Sequence, residues 1–551
     1  MKKQLSILAV LVGASLNAQA AQSPFFKITE VGQGYATGIS ADNSVLAVKL
    51  KNDAGNFFST TPFSDFLVDR FRFEQDCILS GDVCDAFWED NANFGYNWRR
   101  DFLDASSQRD SLGVSGSETD GLAVAMGPDS GTYVGYKASK NAVNGLANSR
   151  TAFAVIENGN QVALEGSYKV SGTNVLSSAT SVAQVSGSQY LVTGTAATGL
   201  NRKVDTDEYK DCFNGDDDNF GDYRYCPGTD TQAAFWLVDN GAATLFQPGS
   251  YYGNDKNMVQ TASAAQAVKL KNGDWVAVGY SATDEEVSEH SLDLATYWTL
   301  DLAKKSTGAT TAIPLSDGKP DDSDASLRGS WATGVNANGY VIGNQRFGTN
   351  KGQNRPTEMF IFNLNSPSSN ANVPLKDKPI NGANSEAAAI NDHNMVVGWR
   401  DSRHQTQPVT GGTNRMQEAF LLSAANGNNW YLNDLICGLN DSGSKSCSQN
   451  GAYYHIAYAS GISTDGTIAA TAFRYANESD LNNRINASVV SIKMSPDPDS
   501  INYEGVPANR VVSNPPVVNQ TGQDGDEGGG GGSLFWLTLL GLPFAWLRRR
   551  G

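Results

Sequence analysis

Histidine is scarce in this chain, with four among 551 residues, and His290, His393, His404 and His455 stand far apart. That scarcity leaves a general-base role without a visible partner. No Gly-x-Ser-x-Gly occurs, so a nucleophile-elbow hydrolase has no sequence support. Ser442-Gly-Ser-Lys445 satisfies Ser-x-x-Lys, but the companion motifs of that chemistry are missing. No Cys-x-x-Cys is present either, which argues against a cysteine metal centre. Positive charge is in deficit: 41 Lys and Arg face 58 Asp and Glu, for a net −17. Such a chain repels nucleic acid, stays soluble and attracts divalent cations.

What the chain does have is repetition. Seven segments share small residues leading into a polar turn and β-branched or aromatic residues leading out. They are Ala36–Val48, Leu122–Gly135, Ala179–Gly194, Ala265–Gly279, Ala332–Gly343, Ala387–Trp399 and Ala459–Ala470. Their centres are Asn-Gly, Asp-Gly, Asp-Asn or similar pairs, which reach positive φ cheaply, as a tight hairpin turn requires. A second signature follows most copies: Ala86-Phe87-Trp88, Ala152-Phe153, Ala234-Phe235-Trp236, Thr296-Tyr297-Trp298, Met359-Phe360, Ala419-Phe420 and a weak Ala487–Val490. One unit is then two hairpins, or four strands. The fold class expected is all-β, a β-propeller of about seven four-stranded blades. Phe25–Val31 precedes the first copy as an orphan strand, and Ala487–Lys493 lacks a partner. Pairing the two would close the ring and remove two sheet edges.

The unit Ala-x-Gly-Ile-Asn-x-x-Gly-x-Val-Val-Gly followed by Ala-Phe-Leu resembles the repeat of extracellular HAF-repeat proteins. It departs from that family by lacking a His before Ala-Phe; Thr151 and Glu418 stand there instead. The resemblance implies a secreted propeller-like domain over residues 21–494 and brings no catalytic residue with it.

The ends carry addresses. Lys2 and Lys3, the apolar run Leu5–Leu16 and the small residues Ala18 and Ala20 read as a secretory signal, 1–20, for signal peptidase. Residues 495–527, rich in Pro, Asn, Asp and Gly, read as a disordered linker. The tail 528–551 joins the run Gly528–Gly532, the apolar segment Leu534–Leu547 and Arg548–Arg550. It resembles the GlyGly-CTERM sorting signal. That resemblance implies processing at Gly531 and Gly532 by a rhomboid-type protease, type II secretion and a replacement anchor at the cell surface. The competing reading is a permanent tail anchor in the inner membrane.

The six cysteines fall into local couples, Cys77 with Cys84, Cys212 with Cys226 and Cys437 with Cys447. An oxidising destination favours these three disulfides, each stapling an insertion, although six cysteines admit fifteen pairings. Asp216, Asp218 and Asp222 resemble the start of a Ca²⁺ loop, set against the plainer reading of a solvated acidic loop. Tyr96 and Trp98 are candidates to stack on a sugar or peptide, though aromatics beside them belong to a strand signature. Ser463–Thr467 partly resembles the Asp-box turn of sialidases and reads better as hairpin chemistry. The function expected is a surface-anchored binding module for a glycan, an envelope component or a surface protein, with the site in loops. The alternative is a secreted hydrolase using carboxylates in the loops or a central channel.

Overall fold

The computed structural model describes residues 23–50, 109–112, 122–140, 147–170, 172–200, 229–253, 260–287, 290–320, 327–347, 356–375, 382–404, 416–439 and 445–497. The chain is all-β: the described residues form seven antiparallel sheets of three to five strands and two small two-stranded ribbons.

Each sheet begins with one of the seven repeat segments. Sheet six shows the plan: Ser385–Ile390 pairs with Met395–Asp401, then Gln417–Ser423, then Asn429–Tyr431. The first two strands of the other sheets are Tyr35–Ile39 with Val45–Leu50, Leu122–Met126 with Tyr133–Lys140, and Ser177–Ser186 with Gln189–Leu200. Then follow Ala262–Lys269 with Trp275–Val287, Leu327–Val335 with Tyr340–Phe347, and Tyr453–Ile462 with Ile468–Tyr475. Polar turns join these pairs as expected. Asn43, Gly273, Gly339, Asn394 and Gly466 all take positive φ.

The small residues of the repeat have a purpose that the hairpin reading did not include. Every first strand carries a bulge one residue after its leading alanine, for example between Ala264 and Gln266 and between Ala387 and Ala389. The bulge bends the strand and increases its twist. It also turns the preceding carbonyl inward against the second strand. A Cβ on Gly279 would lie 1.9 Å from Ser263 O, and one on Gly398 2.0 Å from Glu386 O. Where the closing residue is glycine, it and the leading alanine are one steric unit; in sheets one and seven Ala47 and Ala470 stand opposite Ala36 and Ala459 instead.

Both faces of each sheet are covered, so the Ala-Phe strands read as unbroken apolar runs. Phe420 packs toward sheet five with Met359 and Ile361, while Leu421 packs toward sheet seven with Ile456 and Ile468. Seven such clusters couple consecutive sheets, and the last, Ala36 and Val45 with Ala469, returns from sheet seven to sheet one. Polar bonds follow the same order at the turns. Asn336 Nδ2 donates to Asn391 O (2.9 Å), Asn391 Nδ2 to Ser463 O (3.0 Å), and Asn43 Nδ2 to Asp465 Oδ2 (2.7 Å).

The N-terminal strand, Phe26–Gln33, is the fourth strand of sheet seven. It pairs antiparallel with Ser488–Pro496 from Phe26 opposite Pro496 to Gln33 opposite Val490. Gln449 Oε1 accepts from Ile28 N (2.8 Å), its Nε2 donates to Phe26 O (2.9 Å), and Arg474 Nε donates to Glu30 (2.8 Å). Sheet one differs from expectation. Its third strand is Arg109–Leu112, whose sequence has no strand signature, and Ala86-Phe87-Trp88 lie outside the described residues.

Candidate functional site

In every sheet the second-to-third connection leaves at the end opposite the Asn and Gly turns, because the strands alternate in direction. At that end, where sheets six and seven adjoin, charged side chains gather. Ser402, Arg403 and His404 follow the second strand of sheet six, and Glu418 stands near the start of its third. The short helix Leu432–Leu435, after the fourth strand, supplies Asn433 and Asp434. Sheet seven brings His455 on its first strand. Arg484 comes from its second-to-third connection, just after the helix Glu478–Asn483.

Arg403 is the hub. Its Nη1 lies 2.6 Å from Asp434 Oδ2 and its Nη2 2.8 Å from Asp434 Oδ1, a bidentate pair, with Glu418 Oε1 3.5 Å from Nη2. The guanidinium also lies 4.0 Å from the centre of the Tyr431 ring. Glu418, with a side chain only 1% exposed, accepts from Ser402 Oγ (2.9 Å), Arg403 N (3.1 Å) and Asn433 Nδ2 (3.4 Å). Asn433 crosses the junction: its Nδ2 donates to Ile456 O and its Oδ1 accepts from Ile456 N. His455 Nε2 lies 2.7 Å from Gln417 O, and Lys445 Nζ 3.9 Å from Asp434 Oδ1.

Burial works to raise the Glu418 carboxyl, but the charge of Arg403, then of His455 and His404, and the Ser402 hydroxyl hold it below the ordinary glutamate range. Burial alone would lower the Arg403 guanidinium; its bonds to Asp434 and the Glu418 charge leave it higher than usual. Burial pushes His455 and His404 down, and Lys445 likewise. Both carboxylates are committed to Arg403, so this is a locked ion network rather than a poised acid and base.

The cysteine couple Cys437–Cys447 is a disulfide beside this cluster. Cys77, Cys84, Cys212, Cys226, the Ca²⁺ candidates Asp216, Asp218 and Asp222, the stacking candidates Tyr96 and Trp98, and the processing positions Ala18, Ala20, Gly531 and Gly532 lie outside the described residues. Among the described residues no three His, Cys, Asp or Glu side chains group as metal ligands, and no helix is long and apolar enough to cross a membrane. Ser463–Thr467 is a turn: Ser463 Oγ donates to Asp465 Oδ1 (2.6 Å), which accepts from Thr467 N (3.0 Å). His393 stands in its turn and His455 in its strand, as read, whereas His290 opens a strand instead of lying in an insertion. The Arg403 cluster was missed. Its one signal was Glu418, an acidic residue where the repeat resemblance expects histidine ahead of a buried Ala-Phe.

The fold and site define a protein of repeated small antiparallel sheets with an ionic junction. Residues 129–550 match the model of DUF3466, described as a protein of unknown function, and the chain belongs to that family. No curated protein matches the sequence. Among solved structures, a protein of unknown function from Dyadobacter fermentans DSM 18053 is similar at 9% identity and a TM-score of 0.31, over 67% of this chain and 92% of that one. The polysaccharide lyase Uly1 is similar at 8% and 0.31, over 66% and 88%. The Hadza microbial sialidase Hz136 is similar at 7% and 0.31, over 66% of this chain and 63% of its own. Likeness this distant says nothing about chemistry.

Proposed function

We propose that the seven sheets are the blades of a β-propeller closed by the N-terminal strand, and that it serves as an exported, surface-anchored binding protein. The observation that carries this reading is the order of the apolar clusters, which runs through consecutive sheets and comes back to the first. A rigid ring with its long connections at one end is a scaffold for loops that bind. The connections over residues 51–108 and 201–228 attach there, and they hold the Tyr96 and Trp98 pair and the Asp216–Asp222 Ca²⁺ candidates. The HAF-like repeat, the leader 1–20 and the GlyGly-CTERM-like tail 528–551 support export and anchoring. The hydrolase alternative needs two free carboxylates about 5 to 10 Å apart. Glu418 and Asp434 are instead tied to one arginine.

The test is a panel of envelope glycans and surface proteins presented to the exported protein, with turnover followed in parallel. Saturable retention without product supports the binding module; product formation replaces it with the hydrolase. Mass spectrometry of surface-exposed protein tests the anchor, since an intact Arg548–Arg550 end contradicts sorting.

A further inference from the structure

We infer that the Cys437–Cys447 disulfide is a redox latch on the N-terminal strand, holding the Gln449–Asn450 turn across that strand's outer edge until a dithiol reductant opens it. Phe26–Gln33 ends the strand order of sheet seven, with Ser488–Pro496 on one side and no further strand on the other among the described residues. The Phe25 carbonyl accepts from Asp497 N, so the alternation of the strand points the carbonyls of Phe26 and Ile28 and the amide of Ile28 the other way, off the sheet. Two side chains take up all three. Gln449 Oε1 accepts from Ile28 N (2.8 Å), Gln449 Nε2 donates to Phe26 O (2.9 Å), and Asn450 Nδ2 donates to Ile28 O (3.0 Å). Side-chain amides thus do for this edge what the backbone of a neighbouring strand does elsewhere.

The disulfide fixes the two segments that Gln449 joins. Gln449 Nε2 also donates to Ile436 O (2.8 Å), next to Cys437, and Cys447 lies two residues before Gln449. Gln449 and Ala452 exchange backbone bonds of 2.9 and 3.0 Å around Asn450 and Gly451, which both take positive φ, so the turn aims its side chains in a set direction. Phe26, Ile28, Ile436 and Cys437 share one apolar cluster, with Cys447 packed against it. Without the S–S bond, that apolar contact and one neutral hydrogen bond tie the turn to Ile436, and such a bond is weak. Cys437 is 8% exposed, whereas Cys447 is more open and stands between exposed Ser446 and Ser448, so a thiol reaches the Cys447 sulfur. One sulfur of a dithiol attacks there, the S–S bond breaks and Cys437 leaves as thiolate. The second sulfur then displaces Cys447; two electrons and two protons pass to the cysteines while the dithiol closes to its own disulfide. In an oxidising compartment the latch stays shut, and in a reducing one the edge opens and offers backbone groups to another strand.

The test is hydrogen–deuterium exchange mass spectrometry of the full chain with and without dithiothreitol, following the peptide over residues 25–34, with alkylation of Cys437 and Cys447 recording reduction. Reduction should speed exchange of that peptide by about tenfold or more, in line with the worth of a disulfide that closes a short loop. Trp275–Val287 of sheet four should keep its rate. The double variant Cys437→Ser, Cys447→Ser should exchange at the fast rate in either buffer. Gln449→Ala removes the clasp with the disulfide intact, so it too should start fast and respond little to reductant. That variant keeps the test decisive should the double variant fail to fold. Five results each overturn the inference: cysteines that resist alkylation under reductant, an unchanged peptide once they are alkylated, equal loosening of sheet four, a reductant response surviving in the double variant, or a full response in Gln449→Ala.

Discussion

Sheets three and four join through hydroxyls and hydrocarbon, whereas sheets six and seven add ions. At the first junction Thr180, Thr193 and Thr195 donate to Ala264 O, Ala265 O and Ala262 O, and Phe235 meets Trp298 with ring centres 6.2 Å apart. At the second, Arg403 gathers Asp434 and Glu418 under Tyr431, with a disulfide alongside. Both junctions hold the same bulged first strands. Neutral hydroxyl-to-carbonyl bonds therefore suffice for the scaffold. A desolvated ion network is a costly way to gain the same contact.

The sharpest way to break the comparison is Arg403→Met, which strands two buried carboxylates. It should cost about 3–5 kcal/mol in denaturant unfolding. Adding Glu418→Gln and Asp434→Asn should recover part of that loss, because the three act as one unit. Next comes the shared scaffold. Gly279→Ala and Gly398→Ala each force a Cβ into a backbone carbonyl, and both should lose about 1–3 kcal/mol, alike in sheets four and six. Thr195→Val should cost only about 1 kcal/mol, the net worth of one neutral hydrogen bond. If Thr195→Val proves as damaging as Arg403→Met, the contrast between the junctions is wrong.

Acid separates them most finely. His455 and His404 are held below 6.5 in the folded chain, so the unfolded chain takes up more protons and stability falls as pH drops below about 6.5. Glu418, depressed below 4.5, removes a further increment as pH falls from 4.5 toward its folded value. A pH series of melting curves should show His455→Gln flattening the first decline. Thr195→Val should leave its shape untouched.

Much of the architecture is legible along the chain because its causes are local. Turn residues such as Asn43 and Gly339 and the twin-faced Ala-Phe strands announce themselves within a few positions. The orphan strand Phe25–Val31 could be assigned because Ala487–Lys493 visibly lacked a partner, and the structure pairs Phe26–Gln33 with Ser488–Pro496. The bulge was hidden, since alanine before a turn looks the same with or without it. So was the third strand of sheet one, Arg109–Leu112, which takes its conformation from pairing with Val45–Leu50 rather than from its own pattern. The ionic junction was least legible. Arg403, Glu418, Asp434, His455 and Arg484 come from separate elements of two sheets, and only folding brings them together.

The chain enters the last sheet at Phe26 and leaves it at Asp497, and the two points are tied by Asp497 N–H to Phe25 O at 2.8 Å. Tension on the chain beyond Asp497 therefore runs lengthwise into a strand gripped on both flanks, by Phe26–Gln33 and by Ile468–Tyr475. Two rows of bonds share such a load at once instead of unzipping one after another. A body hung by this end would yield late under drag, with Phe26–Gln33 holding the strand that bears the pull.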